Sequence, residues 1–174
     1  MPPHDGGPQE PSTPDALPAL VATHWSAVYR LLFYLTGNRH DTEDLTQETF
    51  LRAMERMTTF RPGSNRRAWL LRIASNAYFD VYRRRRRLKF KLLTREPETA
   101  EPPEKNLDLA EQSQLVRAAM EELSDTTRLV FHLRVTEELS FRDIGAMAGI
   151  SEEAARWHMH QARSKLLKRL EEPS

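Results

Sequence analysis

Between Arg95 and Glu104 the chain reads Arg-Glu-Pro-Glu-Thr-Ala-Glu-Pro-Pro-Glu, and no regular helix continues through such a stretch. Its prolines remove backbone donors and push the residues before them toward extended conformations, while its glutamates repel one another and hold water. The segment 94–106 therefore predicts a solvated tether between two separately organised modules, 15–93 and 107–174. A second biased stretch carries Pro2, Pro3, Pro8, Pro11 and Pro14 with Gly6 and Gly7 and no aromatic residue. It predicts a disordered tail over residues 1–14, since it cannot bury enough surface to offset the entropy of ordering.

Charge follows the same division. Residues 17–93 carry 15 Lys or Arg against 6 Asp or Glu, a net +9, whereas the tail, the tether and the last 68 residues are all acidic, so the overall +1 is an average of opposites. A basic first module is suited to meeting a polyanion. The chain has no cysteine, which excludes disulfides, thiolate metal sites, iron-sulfur clusters and cysteine nucleophiles. His4, His132, His158 and His160 show no metal-ligand spacing, so no metal is expected. No apolar run approaches the roughly 18 residues that span a bilayer, and the first residues lack a secretory pattern, giving a cytoplasmic expectation.

Helical periodicity runs through both modules, and no alternating strand pattern competes with it. In the first module, Asp15 is expected to cap a helix carrying Leu17, Val21, Val28, Leu31, Leu32 and Leu35, which ends at Gly37. Asp41 with Asp44 reads as a capping box for a second helix through Leu45, Phe50, Leu51, Met54 and Met57, with Leu45, Phe50 and Met54 assigned to the core. After the breaker Arg61-Pro62-Gly63-Ser64-Asn65, a third helix carries Trp69, Leu70, Ile73, Ala77 and Val81 and runs into five arginines, 83–87.

In the second module, Ser140 and Asp143 form a capping box at the start of Phe141-Arg142-Asp143-Ile144-Gly145-Ala146-Met147-Ala148, and Gly149-Ile150-Ser151 turns into another helix. This is the pattern of a helix-turn-helix. At about 100° per residue, Ala155, Met159, Ala162, Leu166 and Leu170 share the packing face, while Arg156, Trp157, His160, Gln161, Arg163 and Ser164 point away. Taken alone, the spacing suits either a DNA reader or an ordinary helical hairpin. An exposed Trp157 beside Arg156 and His160 favours a partner surface.

Asp41-Thr42-Glu43-Asp44 and Leu45-Thr46-Gln47-Glu48-Thr49-Phe50-Leu51-Arg52-Ala53 resemble the signature of the bacterial sigma-70 superfamily, extracytoplasmic-function (ECF) group. The resemblance continues through Phe60 to Asn65, Arg67 to Asn76, Asp80 and the arginine run, and resumes from Leu123 to Arg163. It implies an all-α fold of two small helical domains, sigma-2 and sigma-4, without the intermediate sigma-3.

The resemblance also implies roles. Asp41, Glu43, Asp44, Gln47, Glu48 and Arg52 match the surface that docks on the clamp helices of the RNA polymerase β′ subunit. Phe60, Arg61, Ser64, Asn65, Trp69, Arg72, Asn76, Asp80, Arg83 and Arg84 match the reader of the minus-ten promoter element, with Asn76 toward the displaced strand and the arginines on phosphates. Ser140, Arg142, Ser151, Arg156, Trp157, His160, Gln161 and Arg163 match the reader of the minus-thirty-five element. The chain departs from the usual pattern at Glu152-Glu153-Ala154-Ala155 and at Trp157-His158, which leaves its promoter preference open.

The implied protein is a promoter-specificity subunit of core RNA polymerase, touching the β′ clamp helices, the β flap and promoter DNA. It has no catalytic residue, cofactor, small-molecule substrate or membrane insertion, and an anti-sigma factor as a further partner. The alternative is a helix-turn-helix repressor or activator acting without polymerase. A nuclease is disfavoured, because Asp41, Glu43, Asp44 and Glu48 spread along a helix face instead of converging on two metal ions.

Overall fold

The computed structural model describes residues 13–61, 63–91, 119–120 and 122–171, so the predicted tether and most of the predicted tail lie outside the described residues. Among the described residues every regular element is helical. Three long helices form the first module: α1 (Thr13–Thr36), α2 (Arg39–Glu55) and α3 (Arg66–Lys91). A single 3-10 turn, Met57–Thr59, leads out of α2. Among the described residues the second module contains α4 (Asp125–Val135), α5 (Phe141–Ala148) and α6 (Glu152–Glu171).

Local sequence explains most boundaries. α1 begins at Thr13, two residues ahead of the expected Asp15 cap, and ends where Gly37 takes φ +63°, a left-handed conformation that glycine adopts without Cβ strain. The expected capping box at Asp41 and Asp44 is not formed. Asn38 caps α2 instead, its side chain accepting from the Asp41 backbone N–H, and so leaves the Asp41 carboxylate for another partner. Asn65 caps α3 in the same way, accepting from the Ala68 N–H at 3.0 Å.

In the first module, Val28, Leu31, Leu32 and Leu35 of α1 pack with Leu70, Leu71, Ile73 and Ala74 of α3 and with Leu45, Phe50 and Ala53 of α2. The α2 contribution corrects the sequence expectation. Leu51 and Met54 face solvent, at 52% and 45% exposure, while Thr42, Thr46 and Thr49 take the buried side. Each of these hydroxyls donates to the carbonyl four residues back, at 2.6 to 2.7 Å, so its polar atom is satisfied and its methyl group can pack.

The two modules share one core. Leu129, Val130 and Leu133 of α4, Ile144 and Met147 of α5, and Ala155 and Met159 of α6 belong to the same buried cluster as the α1–α3 residues. At the seam, Tyr34 of α1 lies 4.9 Å from the ring of buried His132, and its hydroxyl donates to Met120 Sδ at 3.1 Å. Burial pushes the Tyr34 hydroxyl up to about 12 and the His132 imidazole down to about 4, so both groups are neutral at physiological pH. Arg67 at the start of α3 forks onto Glu137 in the loop after α4. The helical content agrees with the sequence, and the shared core adds what the tether alone did not suggest.

The helix-turn-helix forms as its caps require. Ser140 Oγ accepts from the Asp143 N–H at 3.1 Å and donates to Asp143 Oδ2 at 2.6 Å, so the two residues the sequence paired do pair at the helix start. Ser151 Oγ accepts from the Ala154 N–H at 3.1 Å and starts α6. Gly149, at φ +69°, closes α5.

Candidate nucleic-acid interface

The outward side of α3 presents a row of polar side chains. Arg72, Asn76, Asp80, Arg83 and Arg87 are spaced by three or four residues and all are exposed, so they share one stripe. Arg52 of α2 meets this stripe from below, donating to Glu48 at 2.8 Å and to Asp80 at 3.2 Å. Arg52, Asp80, Arg83, Arg84, Arg87 and Leu88 line an open cleft of about 440 Å³. With four guanidinium groups and one carboxylate, itself paired, the cleft carries net positive charge that a phosphate backbone would complement.

Asp41 is joined to the arginine run by two hydrogen bonds from Arg85, both 2.7 Å. That fork holds the Asp41 carboxyl below the usual carboxylate range. Arg85 was not among the residues singled out in the sequence, where five identical neighbours gave no means of distinguishing it.

The loop before α3 is organised around aromatic rings. Phe60 and Trp69 approach to 5.1 Å between centroids, and the Arg66 guanidinium sits 5.2 Å from the Phe60 ring. Trp69 is half-buried against the core, as its place in the apolar stripe implied. Ser64 donates to the Arg61 carbonyl at 2.7 Å and Asn65 caps the helix, so both side chains shape the loop. Arg61, Arg72 and Asn76 remain exposed.

Beside the α3 stripe lies the exposed side of α2. Asp44 and Gln47 are exposed, Glu48 is half-exposed against Arg52, and Glu43 is paired with Arg39 at 2.9 Å. Leu51 lies one turn beyond Gln47 and Glu48, and Met54 follows it. The surface is thus acidic toward the helix start and apolar toward its end. The sequence reading missed the apolar part because it credited Met54 to the core and gave the buried positions of Thr42, Thr46 and Thr49 no apolar weight.

In the second module, Arg156, Trp157, His160 and Arg163 are exposed on α6 and Gln161 is half-buried, while Ala155, Met159 and Ala162 are buried beneath them. Trp157 is 56% exposed, with its ring edge-on to His158. His158 turns inward, its Nδ1 2.8 Å from Thr127 Oγ1. The Arg156 guanidinium lies 4.7 Å from the Phe141 ring and donates to Glu152 at 2.6 Å, which fixes its direction before any partner arrives. Arg142 is exposed, and Ser140 and Ser151 serve as helix caps.

Fold and surface define a class: an all-helical protein with an exposed basic helix stripe on one module and a helix-turn-helix on the other. The first module, over residues 20–88, matches the family model Sigma-70 region 2, and residues 119–168 match Sigma-70, region 4. The chain is 34% identical over 140 residues to the ECF RNA polymerase sigma factor EcfG of Rhodopseudomonas palustris, covering 76% of this chain and 72% of that one. It is 35% identical over 151 residues to the ECF RNA polymerase sigma factor SigE of Mycolicibacterium smegmatis, covering 84% of this chain and 58% of that one. The solved structure of CnrH, in complex with the cytosolic domain of CnrY, is similar with TM-score 0.65 and 27% identity, covering 92% of this chain and 91% of CnrH. The chain belongs to the ECF RNA polymerase sigma factor family. Among the described residues no helix is long and apolar enough to cross a membrane.

Proposed function

We propose that the protein binds core RNA polymerase and directs it to particular promoters, acting as a specificity subunit without chemistry of its own. The observation that carries this reading is the match of both modules to sigma-70 regions, with Arg72, Asn76, Asp80 and Arg83 of α3 gathered on one exposed stripe. Asp44, Gln47, Glu48 and the neighbouring Leu51 and Met54 dock on the β′ clamp helices, with Asp41, Glu43 and Arg52 supporting that face from their ion pairs. The second module sits at the β flap and places α6 in the major groove of the minus-thirty-five element. Arg156, aimed by Phe141 and Glu152, reads a base edge, while Arg83 and Arg84 hold phosphates.

Opening of the minus-ten element uses Asn76, whose amide both donates and accepts, against an unpaired base of the displaced strand. Family resemblance adds an anti-sigma partner, and the similar protein CnrH is solved in a complex with the cytosolic domain of CnrY. Asn76→Ala is expected to leave core affinity and closed-complex formation unchanged while reducing open complex about tenfold, the worth of one or two hydrogen bonds. Permanganate footprinting of promoter thymines reports this, and normal opening by the variant would remove Asn76 from the site.

A further inference from the structure

Arg67 is the second residue of α3, close after the Phe60–Asn65 loop, yet its guanidinium faces the second module. Its Nε donates to Glu137 Oε2 at 2.5 Å and its Nη2 to Oε1 at 3.0 Å, two parallel bonds between residues 70 apart in sequence. The Glu137 side chain is only 2% exposed, whereas Arg67 keeps 43% exposure. A buried carboxylate is costly unless paired, so the position of Glu137 depends on this fork. The backbone beside it is also specialised. Glu138 takes φ +54°, a left-handed conformation uncommon for a residue with a Cβ, and Arg134 donates to the Leu139 carbonyl at 2.9 Å across the same turn.

A guanidinium fork accepts a carboxylate and a phosphate in the same geometry. Arg67 follows within two residues the Phe60–Asn65 loop that the proposed function places on the promoter strand, and this inference rests on that reading. We propose that Arg67 is a phosphate-binding residue for the melted promoter strand, and that Glu137 occupies its guanidinium as an internal substitute for phosphate. The contact between modules and the DNA then compete for one side chain. When phosphate takes Arg67, Glu137 loses its partner and must regain water, which unseats the loop after α4 and loosens the seam at Tyr34, His132 and Met120. Binding of the strand and separation of the two modules are thereby coupled.

The test uses the full chain and four proteins: wild type, Glu137→Gln, Arg67→Gln and the double variant. Each is titrated against a fluorescent 12-nucleotide mixed-sequence single strand at several salt concentrations, and separately against core polymerase. Glu137→Gln keeps the shape of the side chain and removes its charge. It is expected to bind the strand about tenfold more tightly than wild type, with a salt slope steeper by about 0.7, the value of one added phosphate contact. Arg67→Gln should erase both gains in the double variant, and core affinity should be the same for wild type and Glu137→Gln. An unchanged strand affinity in Glu137→Gln overturns the proposal, as does an equal gain in the Arg67→Gln background, which would make the effect one of net charge alone. Should Glu137→Gln melt below assay temperature, Glu137→Asp, which keeps the charge but shortens its reach, is expected to give a smaller gain in the same direction, and no gain overturns the proposal. Failure of every variant to bind core polymerase would instead overturn the proposed function, and with it the role given to Arg67.

Discussion

Replacing both Asp44 and Glu48 by lysine is expected to weaken binding to core polymerase at least about a hundredfold while leaving the fold in place. Like charge across a complementary interface costs several kcal/mol, and each 1.4 kcal/mol is about a factor of ten. The cost to the fold is small for identifiable reasons. Asp44 is exposed, its carboxylate 3.6 Å from His40 Nε2, and Glu48 is a half-exposed partner of Arg52, which keeps Asp80 when Glu48 is lost. Circular dichroism and titration against labelled core polymerase separate the two effects. Native helicity with unchanged affinity would contradict the assignment of this face.

The second large effect lies at Gly145. A Cβ there would sit 2.8 Å from the Ile150 carbonyl oxygen and 3.2 Å from two backbone atoms of Ser151, none of which can move without displacing the turn into α6. The Ile150 N–H also donates to the Gly145 carbonyl at 3.0 Å, so the two segments are held face to face. Gly145→Val is expected to destabilise the protein by about 3 kcal/mol or more, because overpacking against backbone has no side-chain relief. For a chain of this length that lowers Tm by at least about 6 °C. Ala146→Val, at the next and exposed position, should stay within about 0.5 kcal/mol of wild type. Differential scanning calorimetry of the pair decides the matter, and equal melting temperatures would mean the turn is looser than its geometry.

Gly145 also illustrates what the sequence makes legible. The box of Ser140 and Asp143, the Gly149 turn and the Ser151 cap are short-range signals, and the helix-turn-helix follows from them without knowledge of the rest of the chain. The buried and exposed faces of α6 were likewise readable, because Ala155, Met159 and Ala162 alternate at helical spacing with charged neighbours. On α2 the same method misplaced Met54, which faces solvent beside Leu51. Thr42, Thr46 and Thr49 are polar in composition but satisfy their hydroxyls within their own helix, so they occupy core positions that a hydrophobic count awards to others.

Long-range pairings were the least accessible. Nothing in five consecutive arginines marks Arg85 as the partner of Asp41, 44 residues away, and nothing local marks Glu137 as the partner of Arg67. Such pairings depend on how helices are laid across one another. The site inherits this division: Arg72, Asn76, Asp80 and Arg83 of α3 were named by family resemblance, whereas the ion pairs that bind the α2 face to the α3 face emerged only in three dimensions.

A chain that acts as proposed confers promoter choice on core polymerase. Run-off transcription from a library of genomic promoter fragments, with core polymerase alone, with the chain alone and with both together, tests it most directly. The expected result is transcripts from a restricted set of start sites that require both components and are lost with the Asp44→Lys, Glu48→Lys variant. Tight binding of the isolated chain to duplex DNA, with no dependence of transcription on adding it to core polymerase, would contradict the account and identify instead a helix-turn-helix regulator that works without being a polymerase subunit.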